Sequence, residues 1–580
     1  MSENTIPAAL ARSAELFADG PALSFYDGEP MSYRTFKERV DQISEFLADR
    51  GVAPGDRVAI LSENGPHWGV AFFAVASMGA VAVPSLADFT PAEVHHILRH
   101  SEAQALFVSE KQYAKLEDAS FEHLKLRILI DDFSVIDPGT NRDRLRKLIA
   151  DGETELRKIK TRALRFVGLI PSKVRDDDPA SIIYTSGTTG HTKGVMLSHR
   201  NIVGNAEAVL KLIPVAPADR LLSLLPLGHV YECTLGLVAP IISGASVAYL
   251  RKPPTAAVLL PALKAVRPTI VLSVPLIIEK MVRARVWPEM RRTAALRWAA
   301  KIPSLRRTIS RKAGKKMVAA FGGSLKLLCI GGAGLAPDVE DFLLEAGFPY
   351  AIGYGLTETS PLVTGTDAAR TRPRSAGWTL DGAEIRIDAP EAASGAGEIQ
   401  VRGAFVMKGY FKDPEKTAEA ITPDGWLKTG DLGCLDGDGY LFIKGRRKNV
   451  LIGPSGENIY PEIIESIINR LEDVQESLVY ERRGQLAARI CLDGEKLDAL
   501  IAERKFSEAQ LREHIRGRLD DIKRHVNENV AAFSRLGRVI EQTEPFEKTP
   551  TQKIKRFLYV DEGPISSDER LTEPSSPGRP

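Results

Sequence analysis

Cysteine is nearly absent from this chain, with four in 580 residues. Cys233, Cys329, Cys434 and Cys491 stand far apart and form no Cys-x-x-Cys pair. That spacing argues against a disulfide framework or a thiolate zinc site and fits a reducing, cytoplasmic setting. Net charge is scarce as well. The 77 Lys and Arg against 75 Asp and Glu leave a formal +2, which speaks against a globally basic nucleic-acid binder. The first twenty residues carry Glu3, Glu15 and Asp19 and lack the apolar core of a secretory signal. Two long uncharged stretches, Trp68 to Ala87 and Cys233 to Leu250, come near spanning length. Gly79 and Gly244 interrupt them, and β-prone runs follow, Ala80 to Val83 and Ala245 to Tyr249. Helix, glycine and strand in that order read as buried α/β units, not as membrane spans.

Two common motifs are missing. Gly332-Ala-Gly334 lacks the third glycine of a dinucleotide fingerprint. Asp436-Gly-Asp-Gly439 lacks the calcium loop's twelfth-position Glu, which is Arg447 here, and reads as a hairpin turn.

What is present is a globular composition, 44% hydrophobic and 26% charged, on a chain long enough for several domains. Strand-like runs (Arg57 to Leu61, Ala105 to Val108, Arg127 to Ile130) alternate with helical segments such as Tyr33 to Arg50. That alternation predicts α/β layers with parallel strands. After Gly397 the texture changes to short strands and tight turns, as in Gly397 to Arg402 and Cys434 to Lys444. A boundary falls near Gly445 to Lys448, giving a core over 1–445 and a short α+β unit over 446–560. The last stretch, 561–580, is rich in Pro, Ser and acidic residues and is expected to be disordered.

The densest chemical signal is Tyr184-Thr-Ser-Gly-Thr-Thr-Gly-His-Thr-Lys-Gly194. It follows a strand-like run, Ser181 to Tyr184, and is expected to lead to a helix over Ser198 to Leu210. Backbone N–H groups freed by Gly187 and Gly190, hydroxyls from Thr185, Ser186, Thr188 and Thr189, and the charge of Lys193 make a triphosphate cradle. The spacing is not that of a Walker A loop.

This loop resembles the signature of the AMP-forming adenylating enzymes, the acyl-CoA synthetase and luciferase superfamily. The family pattern returns in order at Gly353-Tyr-Gly-Leu-Thr-Glu358, Gly425-Trp-Leu-Lys-Thr-Gly-Asp431, Gly445-Arg-Arg-Lys448 and Thr549-Pro-Thr-Gln-Lys-Ile-Lys-Arg556. Within it, the chain is most like long-chain fatty acid–CoA ligases. The resemblance implies a large αβαβα N-terminal domain and a small mobile α+β C-terminal domain. It also implies ATP, Mg2+ and CoA as the reaction's partners, beside a fatty acid.

Roles carry over position by position. Gly331-Gly332-Ala333-Gly334 and Tyr354 are implied at the adenine, and Asp431 and Arg446 at the ribose, where one carboxylate can accept from two adjacent hydroxyls. Thr357 is implied at the α-phosphate. Glu358 is the magnesium candidate, because that ion prefers carboxylate oxygen and completes its shell with water and phosphates. Lys553 is implied as the cation that stabilises charge developing in the first half-reaction. The family usually has Gly before this lysine, and here it is Gln552. Lys448 resembles the hinge about which the small domain turns between half-reactions, and 453–458 resembles the face presented during thioester formation.

Leu225-Pro-Leu-Gly-His-Val-Tyr-Glu232 resembles the stretch where the family places an aromatic or histidine gate, here His229. No aspartate lies between Leu221 and Tyr231 to hold an α-amine, so an apolar acid is expected. Between Arg283 and Lys316 twelve Lys or Arg residues meet one acid, Glu289, with Trp287 and Trp298 interleaved. A solvated face is one reading of this run; peripheral contact with anionic membrane through 283–316 is the other. The resulting expectation is a fatty acid–CoA ligase, cytoplasmic or peripheral on the inner face of a membrane, with no nucleic-acid partner. The rival readings are an acyl-AMP ligase loading a carrier protein, an aryl-acid ligase, and a non-catalytic lipid- or nucleotide-binding module.

Overall fold

The computed structural model describes residues 4–117, 119–137, 174–186, 192–392, 394–452, 457–471, 473–482, 485–549 and 553–560. The tail 561–580, the loop apex 187–191, residues 453–456 and Gln552 lie outside the described residues. The chain divides into two compact units, with the division in sequence between Lys444 and Gly445.

The larger unit is built on two sheets. One orders its strands Tyr350–Ile352, Leu327–Ile330, Ile270–Ser273, Arg220–Ser223, Ser246–Tyr249, Pro21–Phe25 and Met31–Ser32. All its pairings are parallel except the last. The other runs Gly409–Tyr410, Thr192–Ser198, Pro179–Ser186, Val81–Ser85, Arg57–Leu61, Ala105–Val108, Leu126–Leu129 and Val135–Ile136, with a parallel centre and antiparallel edges.

Side-chain alternation along these strands builds the layers. Val58 and Ile60 join a core shared with Leu23, Val247 and Tyr249 of the first sheet, while Ala59 and Leu61 face away, toward Val94 and Ile97 of the helix Pro91–Ser101. The helix Pro66–Ser77 sits in that shared core and is buried at every residue from Trp68 to Ala76. Burial on all sides explains a helix with no polar face. The helices Ala256–Val266, Pro303–Ala320 and Pro337–Ala346 cover the far side of the first sheet. The result is the expected αβαβα stack. Among the described residues no helix is long and apolar enough to cross a membrane.

Two local features differ from expectation. The phosphate loop does not pass straight into a helix. It joins two antiparallel strands, Pro179–Ser186 and Thr192–Ser198, and the helix His199–Leu212 starts only after the second. Val195 and Leu197 are fully buried, alternating with Met196, and that period-two burial pulls the segment into the sheet. The helix then begins on a reciprocal cap between Ser198 and Asn201. The second uncharged stretch does run helix, Gly244, strand, but its first turns form a π-helix, Glu232–Val238, ahead of the α-helix Ala239–Ser243.

The smaller unit holds the helices Pro461–Ile468 and Glu508–Glu528 against the strands Val474–Arg482, Gln485–Leu492 and Arg538–Glu541. Ile464, Ile468, Leu519, Ile522 and Val526 close a core of its own.

Candidate active site

Three strands of the first sheet end on the segments singled out above. Arg220–Ser223 leads to Leu225–Tyr231, Leu327–Ile330 to the Gly331 loop, and Tyr350–Ile352 to the Gly353 motif. These strands are parallel, so the three segments leave the same carboxyl edge, where open α/β sheets place their ligands.

The arms of the phosphate hairpin pair Thr185 with Lys193 and Ser186 with Thr192. Gly187, Thr188, Thr189 and Gly190 lie outside the described residues. The Lys193 ammonium stands 4.7 Å from the centre of the Tyr410 ring. Tyr410 reaches this position because Gly409–Tyr410 forms an edge strand against Thr192–Ser198. Its hydroxyl donates to Glu358 Oε1 at 2.9 Å, and burial, followed by the adjacent carboxylate, pushes the phenol well above its ordinary pKa. A permanent donor therefore holds one oxygen of Glu358. Oε2 makes no hydrogen bond among the described residues, which leaves an oxygen of the kind magnesium takes. The described residues hold no cluster of three or more His, Cys, Asp or Glu suited to a metal. An ion at Glu358 would complete its shell from phosphates and water.

The Gly353 and Gly425 motifs also meet. The Tyr354 hydroxyl donates to Asp431 Oδ2 at 2.8 Å, and both residues are buried. Asp431 N–H donates to Thr429 Oγ1 at 3.1 Å, which sets the turn. Thr357 is buried in the turn Thr357–Thr359. Gly332 takes a left-handed backbone, φ +85°, and exposes Ala333 beside it.

His229 is half-buried, and Tyr231 N–H donates to its Nδ1 at 3.2 Å. A neutral imidazole so engaged carries its proton on Nε2. Tyr231 donates through its hydroxyl to Cys329 O at 3.1 Å. Its ring packs so closely on Gly331 that a Cβ there would stand 3.2 Å from ring carbons. Beside this ring opens a cavity lined by Leu212, Leu235, Ala239, Ile270, Leu272 and Leu362, with Gly331 and Gly353 among its other walls. No charged residue lines it.

Sequence reasoning missed Tyr410 and two asparagines on the helix His199–Leu212. Asn205 Nδ2 donates to Leu362 O at 2.7 Å and to Thr359 O at 3.4 Å, and its Oδ1 accepts from Leu362 N–H at 3.3 Å. Asn201 does the same for the carbonyls of Ala404 and Val406. Two amides on an otherwise apolar buried face, beside Ile202 and Ala206, were the available signal.

Arg446, Lys448 and Lys553 belong to the smaller unit. Arg446 ends the strand Leu441–Arg446, and Lys448 lies in the turn Arg447–Asn449. Lys553 N–H donates to Thr549 Oγ1 at 3.2 Å, and Thr549 N–H donates to Lys553 O at 2.8 Å. Arg556 fixes the end of this segment by donating to Glu465 at 2.7 Å. Glu465 is buried, and burial pushes its carboxyl up to about 7 against the pull of Arg556.

Comparison with known proteins points one way. Residues 10–411 match the AMP-binding enzyme family. The long-chain-fatty-acid–CoA ligase FadD15 of Mycobacterium bovis is 31% identical over 477 residues, spanning 78% of this chain and 75% of that protein. A chloroplastic long-chain-fatty-acid–acyl-carrier-protein ligase of Arabidopsis thaliana is 28% identical, spanning 96% of this chain and 85% of that protein. Among solved structures, ATP-bound MatB from Rhodopseudomonas palustris shares the fold, with a TM-score of 0.72 at 24% identity over 96% of this chain and 98% of that one.

Proposed function

The chain belongs to the AMP-binding enzymes, as an AMP-forming acyl-CoA synthetase, and from that premise we propose that it activates long-chain fatty acids and passes them to CoA. One observation supports the choice of acid. The cavity beside Tyr231 has an apolar, uncharged lining and reaches Gly331 and Gly353, which open two of the motif loops. Each methylene buried there contributes about 0.8 kcal/mol, so a chain of many methylenes is favoured over a short or charged acid.

In the first half-reaction a carboxylate oxygen attacks the α-phosphorus of ATP. The bond to pyrophosphate breaks, and acyl-AMP forms. Lys193 and the hairpin hold the β- and γ-phosphates, Thr357 donates to the α-phosphate, and Asp431 accepts from the ribose diol with Arg446 beside it. Glu358, oriented by Tyr410, would hold magnesium, which supplies charge neutralisation at the phosphates when bound. Lys553 supplies the cation for the oxygens that gain charge. In the second half-reaction the CoA sulfur attacks the acyl carbonyl, the thiol proton passes to solvent, and AMP leaves. A turn of the smaller domain about Lys448 separates the two steps.

Acid-dependent ATP–pyrophosphate exchange, followed by thioester formation with free CoA across a panel of acids, tests this reading. Exchange without any CoA thioester would favour the carrier-protein acceptor, and preference for an aryl acid would end the fatty-acid assignment.

Peripheral membrane contact is part of the same proposal. Trp298 is 64% exposed and Leu305 41% exposed among the cations of the helices Ala294–Ala299 and Pro303–Ala320. Exposed apolar side chains inside a cationic face suit an anionic bilayer, where each basic residue can add ~1 kcal/mol. Sedimentation with phosphatidylserine vesicles but not with neutral ones is the expected result. Equal behaviour with both would remove the contact.

A further inference from the structure

Glu232 is the least expected residue near the acyl cavity. It is 1% exposed. The Ser223 hydroxyl faces its carboxyl, and its Oε2 has no partner among the described residues, like the hydroxyls of Tyr249 and Thr234. A buried carboxyl with an unsatisfied oxygen costs stability, so a leucine would fill this place at lower cost.

The surroundings show what the acid does. It opens the π-helix Glu232–Val238 and follows Tyr231, which walls the cavity. Its carboxyl extends along the helix over Gly236, where a Cβ would come within 2.6 Å of Glu232 Cδ. Only glycine leaves that space. Ser223 ends a strand of the first sheet and accepts from Asn64 Nδ2 at 3.0 Å. Asn64, in the segment after the strand Arg57–Leu61 of the second sheet, also donates to Leu225 O at 2.6 Å and accepts from Leu227 N–H at 2.8 Å. The gate segment is thus held at its start by Asn64 and ends on Glu232, with Ser223 beside both. Tyr231 and Leu235 leave the same helical turn toward the cavity, and π-turns of this kind recur at functional sites.

We propose that Glu232 is a positioning residue for acyl selectivity: its buried carboxyl, set beside Ser223 and given room by Gly236, sets the turn that places Tyr231 as the cavity wall. The inference rests on the reading of that cavity as the acyl site. Glu232 touches neither nucleotide nor acyl group in this scheme; it acts through Tyr231.

The test compares Glu232→Gln, Glu232→Leu, Gly236→Ala and Tyr231→Ala with the parent enzyme. kcat and KM are measured for a series of saturated acids of rising length, with KM for ATP as the control. Glu232→Gln keeps a neutral group that can bond Ser223 and retains the parent length profile. Glu232→Leu, Gly236→Ala and Tyr231→Ala shift the ratio of long-acid to medium-acid kcat/KM in a common direction by about tenfold, the scale of one or two methylenes in a pocket. KM for ATP stays within about twofold in Glu232→Leu and Gly236→Ala, since a change in acyl fit leaves nucleotide contacts alone. Should Glu232→Leu fail to fold, Gly236→Ala carries the test, because it displaces the carboxyl without removing it. A uniform loss on every acid, or a shift in Glu232→Gln as large as in Gly236→Ala, would overturn the proposal. A parent enzyme that shows no exchange with any fatty acid would instead overturn the functional reading beneath it.

Discussion

The hydroxyl of Tyr354 and the carboxylate of Asp431 come from motifs 77 positions apart and meet at 2.8 Å. On the proposed reading Asp431 accepts from the ribose diol, which needs its oxygens fixed beforehand, and this bond fixes one of them. Tyr354→Phe keeps the ring and removes the donor. The expected result is a KM for ATP raised roughly two- to tenfold, the worth of one hydrogen bond at ~0.5–1.5 kcal/mol, read by pyrophosphate exchange at varied ATP. Glu232 yields a second prediction. Burial pushes its carboxyl from 4.5 up to about 8. The unfolded chain gives up that proton near pH 4.5 while the folded protein keeps it to about pH 8, so this group makes stability fall as pH rises across that window. Glu232→Gln abolishes the loss. Its melting temperature relative to the parent should climb from pH 5 to pH 8 and then level off, within a ceiling of ~1.4 kcal/mol per pKa unit. A difference that ignores pH would mean that Glu232 is not a neutral buried acid. Residue types at fixed spacing made the motifs readable in the sequence. Tyr410 was not readable, because its place beside Glu358 and Lys193 depends on an edge strand of two residues that no local pattern announces.

The helix His199–Leu212 connects sequence to site at the next scale up. Its apolar face joins the core shared by both sheets, and from that same buried surface Asn201 and Asn205 bind the backbone of 404–406 and 359–362. The Asn205 side-chain amide is therefore one of the ties on the turn that carries Thr357 and Glu358, beside Met407 N–H on Glu358 O and the Ser360 hydroxyl on Phe405 O. Asn205→Ala would leave two buried carbonyls and an N–H without their partner, at about 1–3 kcal/mol for such a group. We expect a lower melting temperature together with reduced exchange. A variant that loses stability but keeps full exchange would show that the turn holds itself. The layered α/β plan could be read from alternating apolar runs, since burial on one or both sides of a sheet writes itself into residue type. The hairpin at 179–198 escaped because Gly194 and the polar residues at 192–193 mask a strand that its neighbours complete. The π-helix escaped because an extra residue per turn leaves no compositional trace.

At the scale of the whole molecule the question is how one chain runs two reactions on one acyl group. Lys553 is not a loose tail residue. Its turn is closed by backbone and hydroxyl bonds with Thr549, and three residues on Arg556 is tied to the buried Glu465 beneath the strand Val474–Arg482. The lysine thus belongs to the framework of the smaller unit, and any motion of that unit carries it as a body. If it serves only the first half-reaction, removing it must separate the two chemistries. Lys553→Ala should lower acid-dependent pyrophosphate exchange by about a hundredfold or more, the usual cost of deleting one donor aimed at developing charge. Supplied with synthetic acyl-adenylate and CoA, the same variant should form thioester at close to the parent rate, because that step starts after the phosphoryl chemistry is done. Equal losses in both assays would mean that the lysine holds the nucleotide throughout, and unchanged exchange would remove it from the reaction.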